Sequence, residues 1–158
     1  VILESIIIGD LMAGAIFGVG ITSIVFVACA LLLHLPLAHV GLLAFSFVLG
    51  SITFAALGTL LASPTTDNPS NIMMLASLVR LPLIFISGIF IPLSQLTGWE
   101  WILTSLSPLT YLVDLFHVSL NGDAVYPPWI DTAVLLFVIL IFIWWAKVIQ
   151  KRNLVKGI

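Results

Sequence analysis

The segment Pro82-Leu-Ile-Phe-Ile-Ser87-Gly88-Ile-Phe-Ile-Pro92 interrupts a chain that otherwise consists of long apolar runs. A proline and a Ser-Gly pair both weaken the hydrogen-bond ladder of a helix, so we expect a helix entering this segment to bend or loosen. The residues from 93 to 122 form amphipathic pieces that are too short to cross a bilayer. Ordinary membrane-spanning helices are therefore expected on either side of an unusual central region.

The composition of the whole chain indicates an integral membrane protein. Of the 158 residues, 61% are hydrophobic and 8% are charged, and the mean hydropathy is +1.28. A soluble domain carries roughly 25% charged residues, which cover its water-facing surface. This chain lacks the charge for such a surface, so its apolar exterior must face lipid.

Four apolar runs are long enough to cross the hydrocarbon layer of a bilayer, which is about 30 Å thick. They cover about residues 6–33, 40–62, 71–93 and 129–146. Two short helices, at about 98–106 and 108–121, separate the third run from the fourth, and a tail at 147–158 ends the chain. The sequence thus predicts an all-α, polytopic helical membrane protein. Residues 1–158 form one transmembrane domain, with four transmembrane helices and a re-entrant or interfacial helix pair between the third and the fourth.

Small residues recur at helical spacing on the first run. Gly14 and Gly18, followed by Thr22, lie four residues apart and therefore share one face of the helix. In lipid, a face of small residues lets a neighbouring helix approach closely. Packing against a helix of the same chain is the favoured interpretation, and a dimer interface is the alternative.

Capping signals divide residues 97–122 into two short helices. Thr97-Gly98-Trp99-Glu100 fits a capping box for the first helix, and Ser107-Pro108 supplies an N-cap and a first-turn proline for the second. Gly122 is expected to end the second helix as a C-terminal cap. One face of that helix is apolar, and the opposite face carries Thr110, Asp114, His117 and Asn121. No third ligand or nucleophile accompanies Asp114 and His117, so this polar face is interpreted as solvated, not as catalytic or metal-binding.

Asp10 and Arg80 are the charged residues that we expect to lie at least partly within the membrane. Arg80 is the only basic residue in any of the apolar runs, and a charge at mid-depth costs about 2.5–3.5 kcal/mol on insertion scales. We expect Arg80 either to extend its head group to the near interface or to pair with Asp10 on the first run. A role in transport is the alternative.

The distribution of basic residues predicts the orientation. Residues 147–156 hold four of the five Lys and Arg residues, whereas residues 94–131 contain none. Because the cytoplasmic segments of membrane proteins carry the excess of basic residues, the C-terminus is predicted to be cytoplasmic and residues 94–131 to face outward. Four spans then place the N-terminus in the cytoplasm as well. The expected location is the cell membrane, as a multi-pass protein.

Motifs that would give this chain a chemistry of its own are missing from the sequence. It contains no Gly-x-x-x-x-Gly-Lys-Ser/Thr loop for a nucleotide's phosphates, no His-Glu-x-x-His and no Gly-x-Ser-x-Gly. The chain is therefore not expected to be an enzyme, to carry a metal or another cofactor, or to bind nucleic acid. Any energy for transport should come from another subunit.

A longer pattern resembles a known family. It consists of Leu61-Ala-Ser63, Asn71, the segment from Pro82 to Pro92-Leu, Trp99, Leu106-Ser-Pro108-Leu109-Thr110-Tyr111, Asp114 and Gly122. Its order and spacing, over about residues 57–152, resemble those of the permease subunits of type-2 ATP-binding-cassette transporters. Such permeases usually have six spans. The resemblance therefore implies that this chain supplies the last four spans and is a fragment of a longer protein.

The resemblance also implies partners and sites. The chain would form the substrate pathway of an ATP-driven exporter within the lipid bilayer, as a homo- or heterodimer with a second permease copy. ATP hydrolysis would take place on separate ATP-binding-cassette ATPase subunits. The residues facing the ATPase would be Glu4, Ser5 and Asp67. The outer gate and pathway would comprise Ser87, Gly88, Pro92, Pro108, Thr110, Tyr111, Asp114, His117 and Asn121.

Two other functions are compatible with the sequence. An ion-coupled secondary transporter would move its substrate along a proton or sodium gradient without ATP. Asp10 and Arg80 are, however, few charges for such a carrier, which usually needs buried acids near the midplane. A non-transporting membrane scaffold would use the polar face of residues 108–121 to hold a complex together, with no flux through it.

Overall fold

In the computed structural model, the described residues are 2–34, 38–64, 69–87, 95 and 98–156. Over this part of the chain the backbone forms six α-helices and no strand. The helices are α1 (Ile2–Leu33), α2 (Val40–Ala62), α3 (Pro69–Ile86), α4 (Trp99–Leu106), α5 (Pro108–Asn121) and α6 (Pro128–Lys156). Helices α1, α2, α3 and α6 are long and apolar enough to cross a membrane. This confirms the predicted all-α, polytopic membrane fold, with two short helices before the last span.

The helix boundaries follow the sequence signals with three differences, the first of which is that α1 begins at Ile2 and not at residue 6. Helix α3 begins at Pro69 and not at residue 71, because the first turn of a helix does not need the N–H group that proline lacks. Residues 88–93, which belong to the same apolar run, lie outside the described part of the chain. Helix α6 runs through Lys156, so the tail after residue 146 is helical. Lys, Gln and Arg are good helix formers, and basic residues near a helix C-terminus interact favourably with its dipole.

Helices α1 and α2 pack closely along their small residues. A Cβ atom added to Gly14 would lie 2.9 Å from the Cβ of Ala55, and one added to Gly18 would lie 2.9 Å from the Cβ of Ser51. Side chains cannot occupy such distances, so only glycine permits this approach. The predicted role of Gly14 and Gly18 in packing within the chain is confirmed.

The core of the bundle lies between α2, α5 and α6. Its buried members are Leu49, Ala56, Leu112, Leu115, Leu135 and Ile139. Leu112 of α5 packs on Gly50 of α2, where an added Cβ would lie 2.8 Å from the Leu112 Cδ2 atom. At 1.5 Å per residue, Gly50 is about 15 Å along α2 from the first residue of that helix. Helix α5 therefore reaches roughly the middle of the bundle, which favours the re-entrant alternative over the interfacial one.

Polar contacts define the two ends of the bundle. At the tail end (residues 4, 63 and 147–153), Lys147 forms an ion pair of 3.2 Å with Glu4, and the Asn153 amide donates to the Ser63 carbonyl at 2.9 Å. At the turn end (residues 38–39 and 119–127), the His39 N–H donates to the Ser119 carbonyl at 2.9 Å. The starts of α1 and α3 and the ends of α2 and α6 thus lie at the tail end. Both ends of the described chain lie on the same side.

Candidate functional site

The two short helices meet at a sharp bend, where hydrogen bonds from hydroxyl groups hold them together. Ser107 is extended (φ −84°, ψ 124°) and Pro108 cannot continue the hydrogen bonding of α4, so the chain changes direction here. The Thr110 hydroxyl donates to the Thr104 carbonyl at 2.6 Å, and the Tyr111 hydroxyl donates to the Ser105 carbonyl at 2.8 Å. We call α4, α5 and residues 122–127 the short-helix unit.

The predicted caps Ser107 and Gly122 are confirmed in position, whereas the N-cap of α4 is Gly98 and not Thr97, which the capping box predicted. Ser107 occupies the N-cap position of α5, but its hydroxyl is buried and has no hydrogen-bond partner in the described part of the chain. Gly98 occupies the N-cap position of α4, and Thr97 lies outside the described residues. Gly122 ends α5 in the left-handed conformation (φ 81°), as predicted, and its N–H donates to the Val118 carbonyl at 3.0 Å.

Asp114 holds residues 122–127 against α5. Its carboxylate is 1% exposed and accepts the Val125 N–H at 3.0 Å and 3.2 Å and the Tyr126 N–H at 2.8 Å. Thr110 is also fully buried, whereas His117 and Asn121 are exposed. The prediction of one solvated polar face is therefore wrong for Thr110 and Asp114. The loop that follows α5 folds back over this face, and its N–H groups need an acceptor. Helical spacing alone does not reveal that a loop covers the face.

Aromatic rings complete the unit. The Tyr126 ring centroid lies 5.7 Å from that of Tyr111 and 6.1 Å from that of Trp101. The hydroxyl groups of Tyr126 and Ser105 are 3.3 Å apart. Burial, and to a smaller extent Tyr126 and Asp131, raises the pKa of Tyr111, so its phenol stays protonated and remains a donor. These contacts hold α4, α5 and the loop together.

The sequence interpretation missed Asp131, which lies in the first turn of α6. It is completely buried, and neither carboxylate oxygen has a hydrogen-bond partner in the part of the chain that the structure describes. Its carboxyl group faces that of Asp114 within hydrogen-bonding reach. The signal was present in the sequence, because an acidic residue just inside an apolar run is a functional candidate by default.

A groove between α1 and α2 forms a cavity. Its volume is about 690 Å³, and its lining includes Asp10, Gly14, Gly18, Gly50, Leu112 and Phe116. Two of the hydroxyl groups in its wall are already used, because Ser46 donates to the Leu42 carbonyl and Thr59 to the Ala55 carbonyl. The groove therefore offers small and apolar surfaces more than free polar groups.

A second cavity contains Arg80. Its volume is about 520 Å³, between α2, α3 and α5, and its lining is otherwise apolar, including Leu57, Leu61, Leu83, Ile84 and Leu109. Arg80 lies about 16 Å along α3 from Pro69, beyond the middle of that helix. Its predicted partner Asp10 borders the other cavity, and no ion pair joins the two residues within the described ranges. The structure does not bring this charge pair together.

The other residues that were predicted for the gate or for the side facing the ATPase lie at the following positions. Ser87 is fully buried at the end of α3, where its hydroxyl donates to the Ile84 carbonyl at 2.8 Å. Glu4 and Ser5 are exposed at the tail end, and Pro108 is buried at the start of α5. Gly88, Pro92 and Asp67 lie outside the described residues. Among the residues that the structure describes, no three His, Cys, Asp or Glu side chains could hold a metal ion together.

Comparison with known families gives one match. The family model described as ABC-2 type transporter matches residues 1–121. The match covers α1 to α5 and ends where the returning loop begins, so it includes Asp114 but not Asp131. No curated protein and no solved structure matches the chain.

Proposed function

The chain belongs to the ABC-2 type transporter family, and from this premise we propose that it is the permease subunit of an ATP-driven exporter. The observation that best supports the proposal is the short-helix unit, which is seated in the bundle core and closes one end of it. In this proposal a second permease copy completes the pathway, and separate ATP-binding-cassette subunits hydrolyse ATP. This chain binds no nucleotide and carries no cofactor of its own.

The short-helix unit acts as the outer gate of the proposed exporter. Leu112 and Leu115 anchor α5 in the core, and Asp114 ties the returning loop to the same helix. A body fixed in this way moves together with α6 and not residue by residue. The gate then opens and closes as one piece, in two discrete arrangements, which is how a packed element responds to a distant event.

The tail end is the proposed docking side of the ATPase. Glu4 and Ser5 are exposed there, and contacts between α1, α2 and α6 join the helix ends: the ion pair of Glu4 with Lys147, and the bonds from Asn153 and Gln150 to Ser63. Closure of the ATPases on ATP would push on these joined ends and shift the population of the two arrangements. In this orientation both termini of the chain are cytoplasmic, in agreement with its basic tail.

Helix α3 is the proposed contact with the second permease copy. No side chain of α3 between Pro69 and Ile86 is buried, and its large apolar side chains Met73, Leu78, Leu81 and Phe85 are more than half exposed. The Arg80 cavity opens beside them and would line the pathway between the two copies. An arginine kept within a membrane span costs stability, which supports a role in transport.

The test is substrate-stimulated ATP hydrolysis. The full-length protein, reconstituted with its ATPase subunit in proteoliposomes, should show ATP turnover that rises with at least one member of a broad panel of amphipathic compounds. An ATPase variant that binds but does not hydrolyse ATP is the control and should abolish transport. No stimulation by any compound would contradict active export.

The same system separates the alternative functions. Flux that follows an imposed proton or sodium gradient without ATP would identify a secondary carrier. In a scaffold, alanine substitutions at His117 and Asn121, the exposed part of the polar face, would disrupt the complex. No flux would be measured either with or without these substitutions.

A further inference from the structure

Two carboxyl groups meet where α6 joins the short-helix unit. Asp131 of α6 is completely buried, Asp114 of α5 is 1% exposed, and the two groups lie within hydrogen-bonding reach. Carboxylates only accept hydrogen bonds, so without a proton neither group can donate a hydrogen bond to the other. Two buried negative charges in contact would also repel each other strongly.

The hydrogen bonds of the surrounding groups leave Asp131 without a donor. Asp114 accepts two backbone N–H groups of the loop, whereas both oxygens of Asp131 have no partner among the described residues. The phenol of Tyr111 donates to the Ser105 carbonyl, and that of Tyr126 lies against the Ser105 hydroxyl, so both are occupied elsewhere.

Among the described residues, no basic side chain pairs with Asp131, and the one basic residue of α5, His117, is exposed. Helix α5 contributes Asp114 and Tyr111, the loop contributes Tyr126, and its other acidic residue, Asp123, is exposed. Helix α2 has no titratable residue between Val40 and Ala62. The positive end of the α6 dipole favours one negative charge at this point but not two. One proton for the pair of carboxyl groups satisfies all of these conditions.

We propose that Asp114 and Asp131 share one proton and form a proton-binding latch between α6 and the short-helix unit. Asp131 carries the proton and donates it in a hydrogen bond to the Asp114 carboxylate, which continues to accept the N–H groups of the loop. Loss of the proton leaves two facing negative charges, which push the start of α6 away from α5. The latch depends on the local geometry and holds whether or not the chain exports by ATP hydrolysis.

The sign of the pH dependence follows from this arrangement. Asp131 is neutral in the folded protein and ionised in the unfolded chain, so unfolding at neutral pH releases a proton. Stability therefore falls as the pH rises through the range in which the shared proton dissociates. By the proposed orientation the latch faces outward, and an alkaline exterior would loosen the gate.

Thermal unfolding of the purified full-length protein tests the latch. Between about pH 5 and about pH 9, a range that brackets the titration of paired carboxyl groups, the wild-type Tm should fall by several degrees. Asp131→Asn keeps an N–H donor for Asp114 without a charge, so its Tm should stay level over the same range. Asp123→Asn, in the exposed part of the same loop, is the matched control and should follow the wild type.

Three outcomes of this measurement would overturn the proposal. One is a wild-type Tm that does not change with pH. Another is an Asp131→Asn curve as steep as that of the wild type. The third is a shift of the wild-type Tm at constant pH when sodium replaces choline, which the Asn variant does not share, because the pair would then hold a metal cation and not a proton.

Infrared spectroscopy of the wild-type protein keeps the proposal testable if the variant does not fold. With ¹³C-labelled aspartate, the spectrum at neutral pH should contain the C=O stretching band of a protonated aspartic acid. This band should disappear as the pH is raised. Its absence at neutral pH would mean that both carboxyl groups are ionised and would refute the latch.

Discussion

The two ends of the bundle are held together by different kinds of contact. At the turn end, the Asp114 carboxylate is 1% exposed and accepts backbone N–H groups inside the short-helix unit. At the tail end, the ion-paired side chains of Glu4 and Lys147 are 62% and 44% exposed. Buried, charge-assisted hydrogen bonds fix a structure, whereas exposed ion pairs contribute little. We therefore expect the turn end to be the more rigid of the two ends and the tail end to yield more easily.

This difference matches the roles proposed for the two ends. A gate that moves as one piece needs internal bonds that survive the movement. Helix ends that receive a push from an ATPase need contacts that can break and re-form at low cost. Substitutions at each end measure whether the contrast is real, and the largest effect is expected at the turn end.

Substitution of Asp114 by alanine should have the largest effect. It removes the part-buried hydrogen bonds from the N–H groups of Val125 and Tyr126, and a hydrogen bond to a charged group contributes about 1.5–3 kcal/mol. The free energy of unfolding should fall by at least about 3 kcal/mol, because the hydrogen bond proposed from Asp131 is lost as well. Denaturant unfolding in detergent measures it, with Asp123→Ala as the control. A loss of stability no greater than that of the control would show that the Asp114 carboxylate does not hold the loop against α5.

A pair of glycines on α2 sharpens the contrast within one helix. An added Cβ at Gly50 would meet Leu112 of the short-helix unit at 2.8 Å, whereas one at Gly58, nearer the tail end, would meet nothing within 4 Å. Alanine in a helix interior is otherwise favoured over glycine by about 0.5–1 kcal/mol. Gly58→Ala should raise the Tm, while Gly50→Ala should lower it, because overpacking a core typically costs about 1–3 kcal/mol. Equal effects of the two substitutions would show that α5 is not tightly seated.

Sequence patterns predict the membrane spans and the short helices because those features depend on local apolar runs and turn residues. The Ser107-Pro108 bend and the Gly122 cap are local in this sense, and so is the small-residue face at Gly14 and Gly18. In contrast, the burial of Asp114 depends on a loop that follows its helix and folds back over it. No periodicity within 108–121 carries that information.

The charges show the same limit of sequence reasoning. Asp10 and Arg80 were paired because both lie in apolar runs, but the helices place them at different cavities. Asp131 was overlooked because it lies close to the end of its run, where an acid seems to be within reach of water. Only the packing of α6 against α5 buries it. Which charges meet in a helical bundle is decided by helix rotation and depth, and one sequence does not fix these.

Asn153 tests the tail end with a contact of intermediate strength. Its amide donates to the Ser63 carbonyl at 2.9 Å and so links the end of α6 to the end of α2. A typical hydrogen bond of this kind contributes about 1 kcal/mol, so Asn153→Ala should lower the free energy of unfolding by that amount or less. Lys151→Ala, an exposed neighbour on the same helix, is the control. A loss as large as that of Asp114→Ala would show that the two ends are equally rigid.

The smallest effect on stability is expected for Glu4→Gln. The substitution removes the ion pair with Lys147, but both side chains are largely exposed, and salt already screens such pairs. The Tm should not change measurably, at low or at high salt. Substrate-stimulated ATP hydrolysis in the reconstituted transporter should decrease, because the variant uncouples the start of α1 from the end of α6, where the push is received. Restoring a pair of opposite polarity with Glu4→Lys and Lys147→Glu together should recover most of the stimulation. If the reversed pair recovers nothing while Glu4→Gln alone is active, the tail end does not transmit the push through this contact.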